Sequence, residues 1–63
     1  MILRRATDLR VTDTVRLDDG LLWVVESVTP GQSLWLRVRF SRTIGDTKVL
    51  ELRPDDLVLL ADG

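Results

Sequence analysis

Short runs in which apolar and polar side chains alternate constrain the fold of this chain more than any other feature of its sequence. The clearest run is SLWLRVRFSR, whose even-numbered positions from 34 to 40 are apolar. Its odd-numbered positions hold Trp35, Arg37 and Arg39. Because a β-strand sends successive side chains to opposite faces of a sheet, the run predicts a strand that buries an aliphatic stripe and displays a tryptophan beside two arginines.

Turn signals separate the predicted strands from one another. The segments DDG, TPGQ, TIGDT and PDD each combine glycine or proline with polar residues that favour tight turns. In TPGQ we expect Pro30 and Gly31 to form the two corners of the turn. No segment shows the sustained 3.6-residue period of an amphipathic helix. The predicted strands cover residues 14–18, 21–28, 33–42, 48–53 and 57–61.

Five short strands in a chain of 63 residues predict an all-β fold, a small five-stranded antiparallel SH3-like barrel. So few residues do not fill two sheets, whereas a bent, partly open barrel shortens the exposed strand edges. We expect one domain over residues 1–63, in which residues 1–7 form a flexible arm. The expected core consists of Leu9, Val11, Val15, Leu17, Val25, Val28, Leu36, Val38, Phe40, Leu50, Leu52, Leu57 and Leu59.

The side chains that most enzymes use are missing from this sequence. It contains no histidine and no cysteine, so the usual general bases, thiol nucleophiles and transition-metal ligands are absent. The aspartate pairs in DDG and PDD lie beside glycine or proline, where a carboxylate commonly bonds to the turn backbone. We therefore expect no enzymatic activity, no cofactor and no bound metal.

Hydropathy and charge favour a cytoplasmic protein that does not enter a membrane. Hydrophobic residues make up 44% of the chain. No run of them approaches the roughly 18 residues that span a bilayer, and the N-terminal MILRR lacks the apolar core of a signal peptide. The net charge of −1 argues against a non-specific coat on nucleic acid. Because a core this small is only marginally stable, we expect a monomer or a weak homodimer.

The order of these features resembles the N-terminal, KOW-like domain of bacterial elongation factor P. The segments DLRVTDTVRLDDGLLWVVESVTPGQSLWLRVRF and GDTKVLELRPDD carry the resemblance: a strand entering DG, an aromatic followed by valines, a PG hairpin tip and an arginine-bearing strand. The resemblance implies an SH3-like barrel of the kind that contacts RNA, DNA or protein. The family carries a lysine at the tip after Pro-Gly, where this chain has Gln32 and Ser33.

The outer face of the third predicted strand is the candidate contact surface. Trp35, Arg37 and Arg39 fall on one side of that strand with neighbours roughly 7 Å apart, and Arg42 follows at its end. An aromatic ring stacks on a nucleic-acid base, while guanidinium groups pair with phosphates. We therefore expect a small non-catalytic binding module that contacts nucleic acid or a ribonucleoprotein in translation or transcription.

Two other interpretations of this surface stay open. One is a protein-interaction or assembly module, such as a small phage or regulatory subunit that associates with itself. The other is a purely solvated sheet face, on which Glu51 and Glu26 of adjoining strands neutralise the arginines. Trp23 lies in the most apolar run of the chain, LLWVV, so we expect it in the core rather than at a contact surface.

Overall fold

The computed structural model describes residues 2–61, and this part of the chain is all β apart from one short 3₁₀ turn at Ala6–Asp8. The prediction of an all-β fold is therefore confirmed. Every strand pair in the sheet is antiparallel. The strands are β1 (Ile2–Arg5), β2 (Thr14–Arg16), β3 (Leu22–Pro30), β4 (Leu36–Ser41), β5 (Thr47–Leu52) and β6 (Leu57–Leu60).

The described residues form one sheet of six strands in the order β1-β6-β2-β3-β4-β5, with β1 and β5 at its two ends. The prediction of five strands is corrected by β1, which is built from residues expected to be a flexible arm. β1 pairs with β6 from Ile2 opposite Leu60 to Arg5 opposite Leu57. This strand has no clear alternation of its own. Its hydrogen-bonding partner lies more than fifty residues away in the sequence, so local pattern does not reveal it.

A β-bulge in β3 explains how a nearly continuous apolar run serves a two-faced sheet. Val25 lies opposite Phe40, and Ser27 lies opposite the adjacent Arg39 of β4. Glu26 is therefore left without a cross-strand partner. The extra residue increases the local twist and bends the strand. Val25 and Val28, three positions apart, both pair with buried residues of β4 as a result.

The core lies on one face of the bent sheet and is small. Val11 and Leu57 were expected in it but are exposed. In β6, Val58 is buried and Leu60 packs against the core, in place of the expected Leu57 and Leu59. Val58 pairs with β1 while Leu60 pairs with both β1 and β2, and this register turns the even-numbered residues of β6 towards the core. The buried residues are Ala6, Leu9, Val15, Trp23, Val25, Val38, Phe40 and Val58.

The tip of the β3–β4 hairpin lies later in the sequence than predicted. β3 continues through Pro30, and the Gly31 N–H donates to the Trp35 carbonyl at 2.7 Å. A Cβ on Gly31 would lie only 3.0 Å from that carbonyl oxygen. The reversal itself is made by Ser33 and Leu34, with φ of 51° and 70°. The expectation that Pro30 and Gly31 form the corners is thus wrong, because the tight approach of Gly31 to Trp35 moves the turn outward.

Candidate functional site

Three of the four predicted contact residues lie on the outer face of β4 or directly before it. Arg37 and Arg39 alternate with the buried Val38 and Phe40, so they face away from the core. Trp35 lies one residue before β4 and is odd-numbered, like Arg37 and Arg39. We call Trp35, Arg37 and Arg39 the outer row.

Each arginine of the outer row is paired with a carboxylate. Arg37 Nη2 lies 3.0 Å from Glu51 Oε1 on β5, and Arg39 Nε lies 3.1 Å from Glu26 Oε1 at the bulge of β3. All four side chains are about half exposed, so each pair contributes less than about 1 kcal/mol to stability. The pairs matter more for the electrostatic potential, because they cancel the positive charge that a phosphate would need.

Trp35 forms one wall of a shallow cleft at the end of the sheet. Trp35 is 37% exposed, and the guanidinium carbon of Arg53 lies 5.2 Å from its ring centroid, within cation–π range. Leu34, beside it, is 88% exposed. The cleft has a volume of about 430 Å³ and is lined by Ser33, Leu34, Trp35, Arg53, Pro54, Asp55 and Asp56.

Arg42, the fourth predicted residue, is separate from the outer row. Its guanidinium carbon lies 5.4 Å from the ring centroid of Trp23, which is 5% exposed and belongs to the core. Its Nη1 also lies 3.5 Å from Asp46 Oδ2 in the β4–β5 turn. Arg42 follows the end of β4 at Ser41 and is even-numbered like the buried Val38 and Phe40, so it does not continue the outer row of odd-numbered residues. The prediction that Trp23 is a core residue is confirmed.

A charged cluster closes over Trp23. The indole Nε1–H donates to Asp19 Oδ2 at 3.2 Å, and Lys48 Nζ lies 3.0 Å from the same oxygen and 5.0 Å from the ring centroid. The Leu21 N–H donates to Asp19 Oδ1 at 2.9 Å. This backbone hydrogen bond, reinforced by Lys48 and the Trp23 indole, lowers the pKa of Asp19 below its usual 3.8.

The cluster was not predicted from the sequence as a unit, although one part of it was. Asp19 was assigned to the turn, where its carboxylate does bond to the backbone of Leu21. In the second aspartate turn, the Arg53 N–H donates to Asp56 Oδ2 at 2.8 Å, as that interpretation also requires. The long-range contact between Asp19 and Lys48, on different hairpins, has no signature in local sequence.

Neither a metal-ligand cluster nor a membrane-crossing helix occurs in the described part of the chain. No three acidic side chains among residues 2–61 converge as a cation site would require. No helix there has the length and apolarity to cross a bilayer. With this geometry established, comparisons with models of known protein families, with curated proteins and with solved structures found no match. The relationship to elongation factor P therefore stays a prediction.

Proposed function

We propose that this chain is a small non-catalytic binding module whose contact surface is the outer row together with the Trp35 cleft. The observation that carries the proposal is Leu34, which is 88% exposed and has a φ of 70°. A left-handed backbone costs an L-residue about 1–2 kcal/mol. The exposed side chain returns no burial energy to offset it. The hairpin reversal uses this backbone conformation, but glycine or asparagine would adopt it at lower cost, and the turn does not require a large apolar side chain there. A costly exposed leucine at such a position is a reason to look for a binding role.

The partner that this surface fits best is a protein. Leu34 and Trp35 present adjacent apolar surface, and the arginines of the outer row are already paired as Arg37–Glu51 and Arg39–Glu26. Protein interfaces combine an apolar or aromatic anchor with a polar rim of this kind. A phosphate backbone would have to compete with both carboxylates for the arginines.

Contact with nucleic acid or a ribonucleoprotein is the second candidate, and one observation favours it. The Arg53 guanidinium beside the partly exposed ring of Trp35 is a pair that stacks well on a base. In this case binding should weaken steeply as salt rises, because phosphate contacts release counterions.

The SH3-like barrel is likewise proposed as the closest description of the fold. β2 to β5 follow one another as neighbours in the sheet, and β6 returns to lie beside β2. The bulge in β3 supplies the bend that such a barrel needs. β1 would then be an added strand on the outer side of β6.

A capture experiment with nuclease treatment separates the two candidates. The chain is immobilised and exposed to lysate of its source cells, with and without nuclease, at low and high salt. Any retained protein is purified and its affinity measured against the wild type, Leu34→Ala and Leu22→Ala. Leu22 is a matched control because it is an exposed leucine on β3, away from the cleft.

We expect a purified partner to bind after nuclease treatment, and we expect Leu34→Ala to weaken it at least about tenfold while Leu22→Ala does not. Retention that nuclease abolishes would favour the nucleic-acid candidate. Equal effects of the two leucine variants would contradict the assignment of the contact surface to the cleft.

A further inference from the structure

β5 is an open edge of the sheet. It pairs with β4 on one side only, over six residues without a proline or a shift in register. Natural edge strands are usually shortened, bulged or charged, because their free backbone groups recruit other strands. The opposite edge, β1, has four residues and two of them are Arg4 and Arg5, so it carries such protection. β5 is longer, and its two charged residues, Lys48 and Glu51, are already held in ion pairs with Asp19 and Arg37 of the same copy.

The backbone groups that β5 offers can be assigned from the hairpin geometry. The Arg42 N–H donates to the Asp46 carbonyl at 3.0 Å, which makes this pair a hydrogen-bonded one. Hydrogen-bonded and non-hydrogen-bonded pairs alternate along an antiparallel ladder. Thr47, Val49 and Glu51 are therefore in non-hydrogen-bonded positions opposite β4, and their N–H and C=O groups point towards the open edge.

We propose that the protein forms a symmetric dimer in which β5 pairs antiparallel with β5 of a second copy. A two-fold axis perpendicular to the sheet keeps the same face of both copies on the same side. The register centred on Val49 places Val49 opposite Val49 of the second copy. It also places Thr47 of each copy opposite Glu51 of the other. Each of these pairs then exchanges both of its backbone hydrogen bonds.

The side chains of β5 suit this register. Val49 is 51% exposed in one copy, and a valine–valine pair at the two-fold axis buries it. Thr47 meets Glu51, so no like charges lie opposite each other on the outer face. On the core face Lys48 lies opposite Leu50 of the second copy. Glu51 keeps its ion pair with Arg37, which belongs to the same copy.

A cleft beside β5 leaves space for apolar side chains of an added strand. It has a volume of about 520 Å³, and its lining includes Leu50 and Leu52 of β5, Leu57 and Leu59 of β6, and the charged residues Arg16, Asp18, Lys48 and Asp56. Leu50 of the second copy faces this side of the sheet in the proposed register. An extended segment with leucine at alternate positions thus fits the cleft, and β5 is itself such a segment.

A second copy is favoured over a foreign peptide because β5 is complementary to itself. Two-fold pairing is closed, so it satisfies both β5 edges and does not propagate into a filament. The net charge of −1 gives little repulsion between copies. With only eight buried residues among residues 2–61, so small a core would also gain stability from added burial.

Sedimentation velocity of the purified protein over about a hundredfold range of concentration tests the proposal. The variants are Val49→Lys and Leu22→Lys, which change exposed aliphatic residues on the outer face of the sheet to the same cation. Amide hydrogen exchange is followed in parallel at the two ends of the concentration range. Circular dichroism verifies that both variants are folded.

We expect the wild type and Leu22→Lys to dimerise reversibly with similar dissociation constants. The dissociation constant of Val49→Lys should be at least about tenfold higher, because a charge at this position blocks edge pairing. The Thr47, Val49 and Glu51 amides should become protected as concentration rises. A wild type that stays monomeric throughout, or a dimer in which these three amides stay unprotected, would overturn the proposal.

Discussion

The chain has two tryptophans, each with a cation over its ring, and they are used in opposite ways. Trp23 is 5% exposed, donates a hydrogen bond to Asp19 and lies within 5.0 Å of Lys48 and 5.4 Å of Arg42. Trp35 is 37% exposed and contacts one cation, Arg53, at 5.2 Å. The same pairing of residue types thus occurs once as part of the core and once at the surface.

The carboxylate makes the difference between the two sites. Asp19 binds the Trp23 indole, Lys48 and the backbone of Leu21 together, which fixes the hairpin turn before β3 against β5. Around Trp35, the residues that hold the ring come from a strained tip and a short turn. The first arrangement stabilises the fold, whereas the second leaves apolar surface available. Removing parts of each site is the way to test this contrast.

The largest effect is expected from replacing each tryptophan by alanine. Trp23→Ala leaves a cavity in a core of eight residues and should cost about 3–5 kcal/mol, enough to unfold much of the population. Trp35→Ala should cost about 1 kcal/mol, the size typical of a partly exposed site. Urea denaturation followed by circular dichroism measures both. Similar losses for the two variants would remove the basis of the comparison.

The next largest effect on stability is expected from removing the cation at each tryptophan. Lys48→Met keeps the apolar stem but removes the charge that faces both Asp19 and the Trp23 ring. Arg53→Met removes only a cation at the exposed ring of Trp35. We expect the urea midpoint to fall clearly for Lys48→Met and to stay nearly unchanged for Arg53→Met. If the urea midpoint fell as far for Arg53→Met as for Lys48→Met, the surface site would also stabilise the fold.

Acid should weaken the Trp23 site through Asp19. The Leu21 N–H, with Lys48 and the Trp23 indole, lowers the pKa of Asp19 in the folded protein below the 3.8 of an unperturbed carboxyl. The stabilisation is therefore complete above about pH 3.8 and is lost as the pH falls through the lower folded-state pKa. The difference in free energy of unfolding between wild type and Asp19→Asn should be constant above that pH and shrink below it. A pH-independent difference down to strong acid would contradict this.

The smallest effect is a gain in stability at the tip. Leu34→Gly removes a left-handed strain of about 1–2 kcal/mol and adds about 0.5–1 kcal/mol of backbone entropy cost, so the net gain is about 0.5 kcal/mol. Thermal denaturation measures it against Leu22→Gly, which should destabilise because it weakens a strand. A loss of stability in Leu34→Gly would show that the exposed leucine contributes to folding after all.

Sequence reasoning predicted those parts of the molecule that depend on local pattern. Alternation located β2, β4 and β5, apolar runs between turn signals located β3 and β6, and the apolar run around Trp23 indicated its burial. The pairing of the outer arginines with Glu51 and Glu26, one of the open interpretations, is present in the structure. These features follow from side-chain periodicity and from residues on directly adjoining strands.

The features that were missed depend on contacts between distant segments. β1 exists because β6 provides hydrogen-bonding partners, and the same pairing determines which face of β6 is buried. Arg42 was grouped with the outer row because it follows the strand, although its even number gives it the parity of the buried Phe40, and it lies over Trp23 instead. The tip was misplaced because the approach of Gly31 to Trp35 is a property of the closed hairpin rather than of the Pro-Gly pair.

The bulge in β3 has a consequence for how this chain can change in length during evolution. Residue 26 has no cross-strand partner, while the residues before and after it keep a regular register with β4. Loss of that single codon would leave every other side chain of β3 on its present face and opposite its present neighbour. The curvature of the sheet would change, and Arg39 would lose its ion-pair partner Glu26. Relatives that differ by one residue at this position would thus share the hydrophobic pattern while differing in how far the sheet curls around its core.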